Sequence, residues 1–386
     1  MATHIPHNTM SVAEEVAERL ILDGTKLAWH EDRVRAWERG ERIAPITIDM
    51  ALTRACDATC SFCYAMLQES SERKYLDKQV MDRFLNDCAE IGVKAISLVS
   101  DGESVLSPTY EFTVQRGYEL GINMASGTNG WKLDYARLEQ VLPFLTYIRF
   151  NVSGGTPERY AEIMFNNPKR TDVFDNAMDN IRAAVDIKRR FGLNVTIGTQ
   201  MVLMPQDADQ IIPFAALSLD LGVDYGIIKH CSDDEKGSLG VDYSKYPALY
   251  PALRQAESMG TERTQIHIKW SKIGEGAKRS YARCYGPPFL LQISGSGLVA
   301  PCGMLFNSRY SKFWIGNIVD EGFKSIWQSE RYWDVMRYLG GEHFDARWMC
   351  GALCLQHRVN DSLDRHVKGQ PIQFQAARQP SHVNFI

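Results

Sequence analysis

The sequence predicts an α/β protein built on a parallel sheet, followed by a small hairpin-and-helix unit carrying cysteines. Three observations predict it. Apolar runs of strand length alternate with stretches of helical periodicity between residues 44 and 232. Polar and turn-forming motifs fall just after those runs, where parallel α/β proteins place their ligands. Beyond residue 283, four further cysteines surround two short apolar runs that meet at Gly297.

The bulk properties set the frame. A chain of 386 residues can build one large domain and a smaller one. Its 45% hydrophobic and 23% charged content is that of an ordinary globular protein. A net charge of −4 does not indicate a nucleic-acid partner, although it leaves room for a local basic patch. No apolar run of about 18 residues is present, so no membrane helix is expected. The start, Met1 to His7, lacks a basic segment followed by an apolar one, so no signal peptide is expected. Nine cysteines, mostly in short metal-like spacings, suit a reducing cytoplasm better than disulfides.

Taken in order, residues 1–43 read as a polar, partly helical extension. Within it, Glu31 to Arg39 carries Val34 and Trp37 at helical spacing and stops at Gly40. Strands are expected at Ile46–Ile48, Ala95–Val99, Ile122–Ala125, Tyr147–Phe150, Val195–Leu203 and Tyr225–Ile228. Helices are expected over 77–91, 108–120, 133–141, 173–191 and 208–221. In the first, Asp77 caps a face formed by Val80, Phe84 and Leu85. Six β-α units in series predict a parallel sheet with right-handed crossovers. Periodicity alone does not separate a closed barrel from an open, doubly wound sheet.

The most informative stretch is Cys56-Asp57-Ala58-Thr59-Cys60-Ser61-Phe62-Cys63-Tyr64, just after the first strand. A loop this short can aim three thiolates at three irons of one [4Fe–4S] cube and leave the fourth iron open. A zinc site that draws its fourth ligand from elsewhere is the competing reading. The spacing, with an aromatic just before the last cysteine, resembles the cluster loop of the radical S-adenosylmethionine (SAM) enzymes. That resemblance implies a partial (β/α)6 barrel. It also implies a cluster on Cys56, Cys60 and Cys63 whose open iron chelates SAM, with Phe62 and Tyr64 beside it. Reductive cleavage of SAM would then give a 5′-deoxyadenosyl radical that takes a hydrogen atom from substrate.

Other motifs follow at the strand ends. Ser100-Asp101-Gly102-Glu103-Ser104 resembles the family's Gly-Gly-Glu-Pro element, which implies that Gly102 and Glu103 hold SAM's amino group. Asp101 and Ser104 depart from it, and an ordinary Asp-Gly turn is the bland reading. Gly127-Thr128-Asn129-Gly130 resembles the Thr-Asn-Gly often found after the third strand, or is a plain Asn-Gly turn. Arg149 to Gly154 resembles Arg-x-Ser-x-Asp-Gly, which puts Asn151 and Ser153 near SAM. Gln200 is polar within an apolar strand and needs a partner, either SAM or a neighbouring residue. Lys229 to Glu235 follows the sixth strand and is expected to face the substrate. Cys231 there is a candidate hydrogen-atom donor, or a small buried hydrophobe of the kind Cys88 is expected to be.

Residues 233–283 read as a polar connector, in which the stretch Gly274 to Arg279 offers either a basic end to an anionic substrate or a solvated loop. Cys284, Cys302, Cys350 and Cys354 can ligate one complete cluster, or a zinc ion. The pattern C-x12-G-x4-C followed by Gly316-Asn317-Ile318 resembles the SPASM and Twitch extensions of radical SAM enzymes. Four cysteines fit a Twitch-like domain over 284–357 with one auxiliary [4Fe–4S] cluster. The radical SAM core is placed at 44–232 and a surface tail at 358–386. The resemblance implies a reductant such as flavodoxin or ferredoxin. It implies rearrangement, isomerisation or dehydrogenation of a small molecule, nucleotide or modified base. A peptide-modifying maturase is the alternative, and a non-catalytic iron–sulfur scaffold or electron carrier is the reading from another class.

Overall fold

A computed structural model of the chain describes residues 20, 24–68, 75–275, 279–351, 354, 356–375 and 379–386. The start of the chain and the middle of the 274–279 stretch lie outside the described residues. One sheet carries ten strands: β1 (Thr47–Met50), β2 (Ala95–Leu98), β3 (Asn123–Thr128), β4 (Leu145–Asn151), β5 (Thr196–Leu203), β6 (Tyr225–His230), β7 (Gln265–Ile268), β8 (Leu290–Ile293), β9 (Leu298–Ala300) and β10 (Gly316–Asn317). Their spatial order is β10-β9-β8-β1-β2-β3-β4-β5-β6-β7. Strands β1 to β7 are parallel and never reverse direction around the sheet. With right-handed crossovers, that order keeps the connecting helices on one face, so the other face becomes concave. The sheet is an open, partial barrel.

The local signals that set these elements are visible in the structure. Asp77 accepts a hydrogen bond from the Val80 N–H at 2.8 Å and caps the helix Lys78–Ile91, which buries Val80, Phe84 and Leu85. Each such buried apolar side chain contributes roughly 1.5–3 kcal/mol. Phe84 meets Phe323 edge-to-face at 5.3 Å, which joins the core to the helix Phe323–Gln328. The helix Pro157–Phe165 and strand β7, with its alternating Gln-Ile-His-Ile, were not expected from the sequence.

Two features bind the later part of the chain to the barrel. Strand β8 pairs in parallel with β1, matching Asp49 to Gln292, so the cysteine-bearing hairpin extends the core sheet. Within the stretch expected as a surface tail, the described residues 368–371, 373 and 375 are exposed, but its two ends pack against the rest of the fold. After the helix His357–Val367, residues 382–386 lie across the amino ends of the strands. The Thr47 hydroxyl donates to the Asn384 carbonyl at 2.7 Å, and Asn384 Nδ2 donates to Asn123 Oδ1 at 2.6 Å. His382 Nε2 and Thr196 Oγ1 are 2.9 Å apart, and Phe385 packs edge-on against Tyr147. These partners lie more than 180 residues away in sequence, so nothing local announces them. No described helix is long and apolar enough to cross a membrane.

Candidate active site

A cavity of about 690 Å³ fills the barrel beneath the loop that carries Cys56, Cys60 and Cys63. The loop is held from both ends. The Thr59 and Ser61 N–H groups donate to the carbonyls of Met164 and Ile163, each at 3.0 Å, on the helix Pro157–Phe165. Its root, the Thr53–Arg54 peptide, is clasped between two glycines. A Cβ at Gly102 would lie 2.0 Å from the Thr53 oxygen, and one at Gly295 would lie 2.1 Å from the Thr53 carbonyl carbon. Asp101 locks the clasp, accepting the Ser294 hydroxyl at 2.6 Å and the Gly295 N–H at 2.9 Å while Arg54 approaches to 3.3 Å. The residue that departs from the expected motif therefore ties the turn after β2 to the β8–β9 hairpin.

Burial pushes all three thiols upward, Cys56 to about 12; the charges of Glu103 and the other cysteines add to it at Cys56 and Cys60, and that of Asp101 at Cys63. Holding all three as thiolates calls for a cationic group among them. A cubane gives each of three thiolates its own iron, and Cys56, Cys60 and Cys63 all line the one cavity. The donor set fits a [4Fe–4S] cluster.

Glu103 lies against this loop, buried. Its carboxylate accepts the Asn129 N–H at 2.8 Å and the Val105 N–H at 3.3 Å, while burial, reinforced by Asp57, raises its pKa to about 7. Asn129 Nδ2 donates to Asp57 Oδ1 at 2.6 Å, so the Thr-Asn-Gly turn bridges Glu103 to the cluster loop. Asn151 and Gln200 line the same cavity and face each other, Gln200 Nε2 donating to Asn151 Oδ1 at 2.7 Å. Phe62, Tyr64 and Gly102 line it as well.

Two expected residues lie elsewhere. Ser153 is buried, accepts the Val202 N–H at 3.0 Å and does not line the cavity. Cys231 is fully buried with Val202 and Met204, its thiol 3.8 Å from the Phe62 carbonyl, and burial pushes its pKa to about 12. Its neighbours Lys229, His230 and Ser232 do reach the cavity. Asp233 and Asp234 instead accept N–H groups of their own loop, residues 234–241. Cys88 is core.

The second cysteine group also converges. The charges acting on Cys284 come first from Cys350, Cys354 and Cys302. Asn360 Nδ2 lies 3.5 Å from the Cys284 sulfur and the Tyr281 hydroxyl 3.6 Å from that of Cys354. Four thiols leave no protein-free iron on a cube held there. Tyr64, next to Cys63, also approaches the residue that follows Cys302: its hydroxyl would stand 3.5 Å from a Cβ at Gly303.

With this geometry in place, comparison with known proteins becomes informative. The profile of the radical SAM superfamily matches residues 50–217, and that of the SPASM iron-sulfur cluster-binding domain matches residues 284–354. The chain belongs to the radical SAM superfamily, with a SPASM-type C-terminal domain. The two domains imply a SAM-binding [4Fe–4S] cluster and an auxiliary cluster. A PqqA peptide cyclase of Ruegeria pomeroyi is 29% identical over 116 residues, which cover 30% of this chain and only 31% of that protein. An AdoMet-dependent heme synthase of Methanosarcina barkeri is 21% identical over 316 residues, covering 76% of this chain and 85% of that one. Streptococcus suis SuiB bound to S-adenosylmethionine superposes with a TM-score of 0.61 at 15% identity, covering 80% of this chain and 72% of SuiB. SuiB bound to its precursor peptide SuiA superposes with a TM-score of 0.59 over 78% of this chain and 69% of SuiB. At this identity the likeness is one of fold.

The sequence reading missed Asp101 as a clasp, Asp49 and Arg149 inside the barrel, and Lys269 and Lys272 past β7. Arg149 had a signal: it is charged in an otherwise apolar strand, two residues before Asn151 and so on the same face.

Proposed function

We propose that this radical SAM enzyme takes a hydrogen atom from a substrate group held inside the barrel. The observation that carries the reading is the convergence of Cys56, Cys60, Cys63 and Glu103 on one cavity at the carboxyl ends of parallel strands. When bound to the three thiolates, a [4Fe–4S] cluster supplies the electron that cleaves SAM to methionine and a 5′-deoxyadenosyl radical. Glu103, fixed by two backbone N–H groups, accepts from SAM's ammonium and orients it. Asn151 and Gln200 offer hydrogen bonds to the ribose once their mutual contact opens. The barrel walls exclude water from the radical. Cys284, Cys302, Cys350 and Cys354 hold the auxiliary cluster, with electron transfer or structural support as its role, and a flavodoxin or ferredoxin serves as reductant.

The names of the relatives, a peptide cyclase and a protein solved with its precursor peptide, favour a peptide substrate over the free small molecule, nucleotide or modified base expected from the sequence. The test is 5′-deoxyadenosine formation by the anaerobically reconstituted, reduced chain, beside the Cys56/Cys60/Cys63→Ala triple variant. Product from the native chain alone is expected. No product from an iron-loaded native chain would overturn the reading in favour of an iron–sulfur scaffold.

A further inference from the structure

The barrel holds cations that the SAM site leaves without a role. Arg149 on β4, Lys229 on β6, and Lys269 and Lys272 just past β7 all line the cavity. The charges acting most on Lys229, after its burial, are those of Arg149, Lys272 and Lys269, three cations. Among the described residues, no ion pair includes Arg149, Lys229 or Lys272, and Arg149 Nε is buried without a hydrogen-bond partner. Asp49, on β1, is an acid that these cations act on, and Gln292 already donates to it at 2.9 Å.

Like charges gathered out of water are costly unless an anion joins them. Lys272 has a partial explanation, because Cys354 and Cys302 act on it from the auxiliary site. Arg149 and Lys229 share the single carboxylate of Asp49 with Lys269, and Arg149 also meets the Tyr225 hydroxyl, so three cations face that one acid. SAM's carboxylate chelates the open iron at the loop, whereas Arg149 lies two residues earlier on its strand than Asn151, about 7 Å deeper. Below Arg149 the cavity is lined by Tyr147, His382 and Phe385, and at its level the Tyr225 ring lies over Gly198, where a Cβ would come within 2.2 Å of it.

We propose that the substrate group entering the barrel carries an oxyanion, a phosphate or a carboxylate, which docks on Arg149 and Lys229 with Lys269 beside them. The inference rests on the proposed function and deepens it by giving the substrate a charge. An arginine fork grips such a group through paired N–H bonds, while lysines add point charge. Held there, the anion places the carbon to be attacked between the floor and SAM.

The test uses the reconstituted, SAM-loaded full chain and equilibrium dialysis with labelled inorganic phosphate in one arm and acetate in the other. Saturable binding of at least one anion is expected, weakened about tenfold or more in Arg149→Gln and in Lys229→Gln. The exposed Lys169→Gln removes the same charge and should bind as the native chain does. Tighter phosphate identifies a phosphoryl group; tighter acetate identifies a carboxylate. If Arg149→Gln does not fold, Lys229→Gln carries the test alone. Saturable binding of neither anion, or equal binding by the folded variants, overturns the inference. So does a loss of SAM affinity in place of anion affinity, which would assign the cations to SAM. Assaying 5′-deoxyadenosine in the same native sample separates the two claims. Product without anion binding defeats only the oxyanion; anion binding without product defeats only the radical chemistry.

Discussion

Replacing Gly295 with Ala tests the clasp at the root of the cluster loop. The new methyl group would stand 2.1 Å from the Thr53 carbonyl carbon, 2.3 Å from its oxygen and 2.5 Å from the Arg54 nitrogen. Ordinary carbon contacts begin near 3.5 Å, so one backbone must retreat by about 1.4 Å. Neither can do so freely. The hairpin is pinned through Ser294 and Gly295 to Asp101, and Thr53 is bridged to Tyr75. Overpacking of this kind costs about 1–3 kcal/mol, and losing the Gly295 N–H bond to a carboxylate adds about 1.5–3. A total near 4 kcal/mol corresponds to a fall in Tm of roughly 5 °C for a chain of 386 residues unfolding as one unit. The displacement reaches Cys56, two residues past Arg54, so the first cluster should be lost before the auxiliary one. Thermal unfolding by circular dichroism and iron analysis read both effects, with iron expected to fall from about eight atoms per chain towards four. Gly274→Ala is the control, since its nearest neighbour is the Tyr250 hydroxyl at 3.9 Å. A Gly295→Ala chain that melts within about 1 °C of the native one and keeps its full iron would refute the reasoning.

Three further outcomes are expected. Cys231→Ala should cost about 1 kcal/mol in thermal unfolding, because the thiol is packed in the core, and should leave the product's stereochemistry unchanged. Asp101→Ala should loosen the hairpin by about 2–4 kcal/mol by leaving the Ser294 and Gly295 donors and Arg54 without their acceptor, which urea unfolding would detect. His382 gives the pH dependence. Burial, with Lys26 and Lys188 adding to it, lowers its pKa to about 3. The unfolded chain takes up this proton near pH 6.5 and the folded one does not, so the stabilisation is complete above about pH 6.5 and drains away as pH falls. At pH 5.5 the loss is about 1.4 kcal/mol, and His382→Asn should flatten that part of the stability-against-pH curve.

The parts of this molecule that were legible in the sequence are those whose signals are local. The Asp77 cap, the apolar strands, the three-cysteine loop and the Gly297 hairpin each announce themselves within a few residues. The parts that were not legible depend on partners far along the chain. Asp101 looked like a departure from a motif because its partners, Ser294 and Gly295, lie more than 190 residues away. Residues 382–386 looked like a polar tail because the strand ends they cover are set only by the fold. Strand β7 was hidden in a polar connector, since His267 and Gln265 break the apolar run that marks the other parallel strands. Gln200 carried a real signal, a polar group needing a partner, but the partner in the structure is Asn151.

Electron paramagnetic resonance of the reduced, reconstituted chain with and without SAM tests the central claim most directly. The account predicts that SAM alters one cluster signal in the native chain and in a variant lacking Cys284, Cys302, Cys350 and Cys354. It should alter none when Cys56, Cys60 and Cys63 are replaced. A SAM-insensitive spectrum from the iron-loaded native chain, or a SAM response that survives loss of those three cysteines, would contradict it.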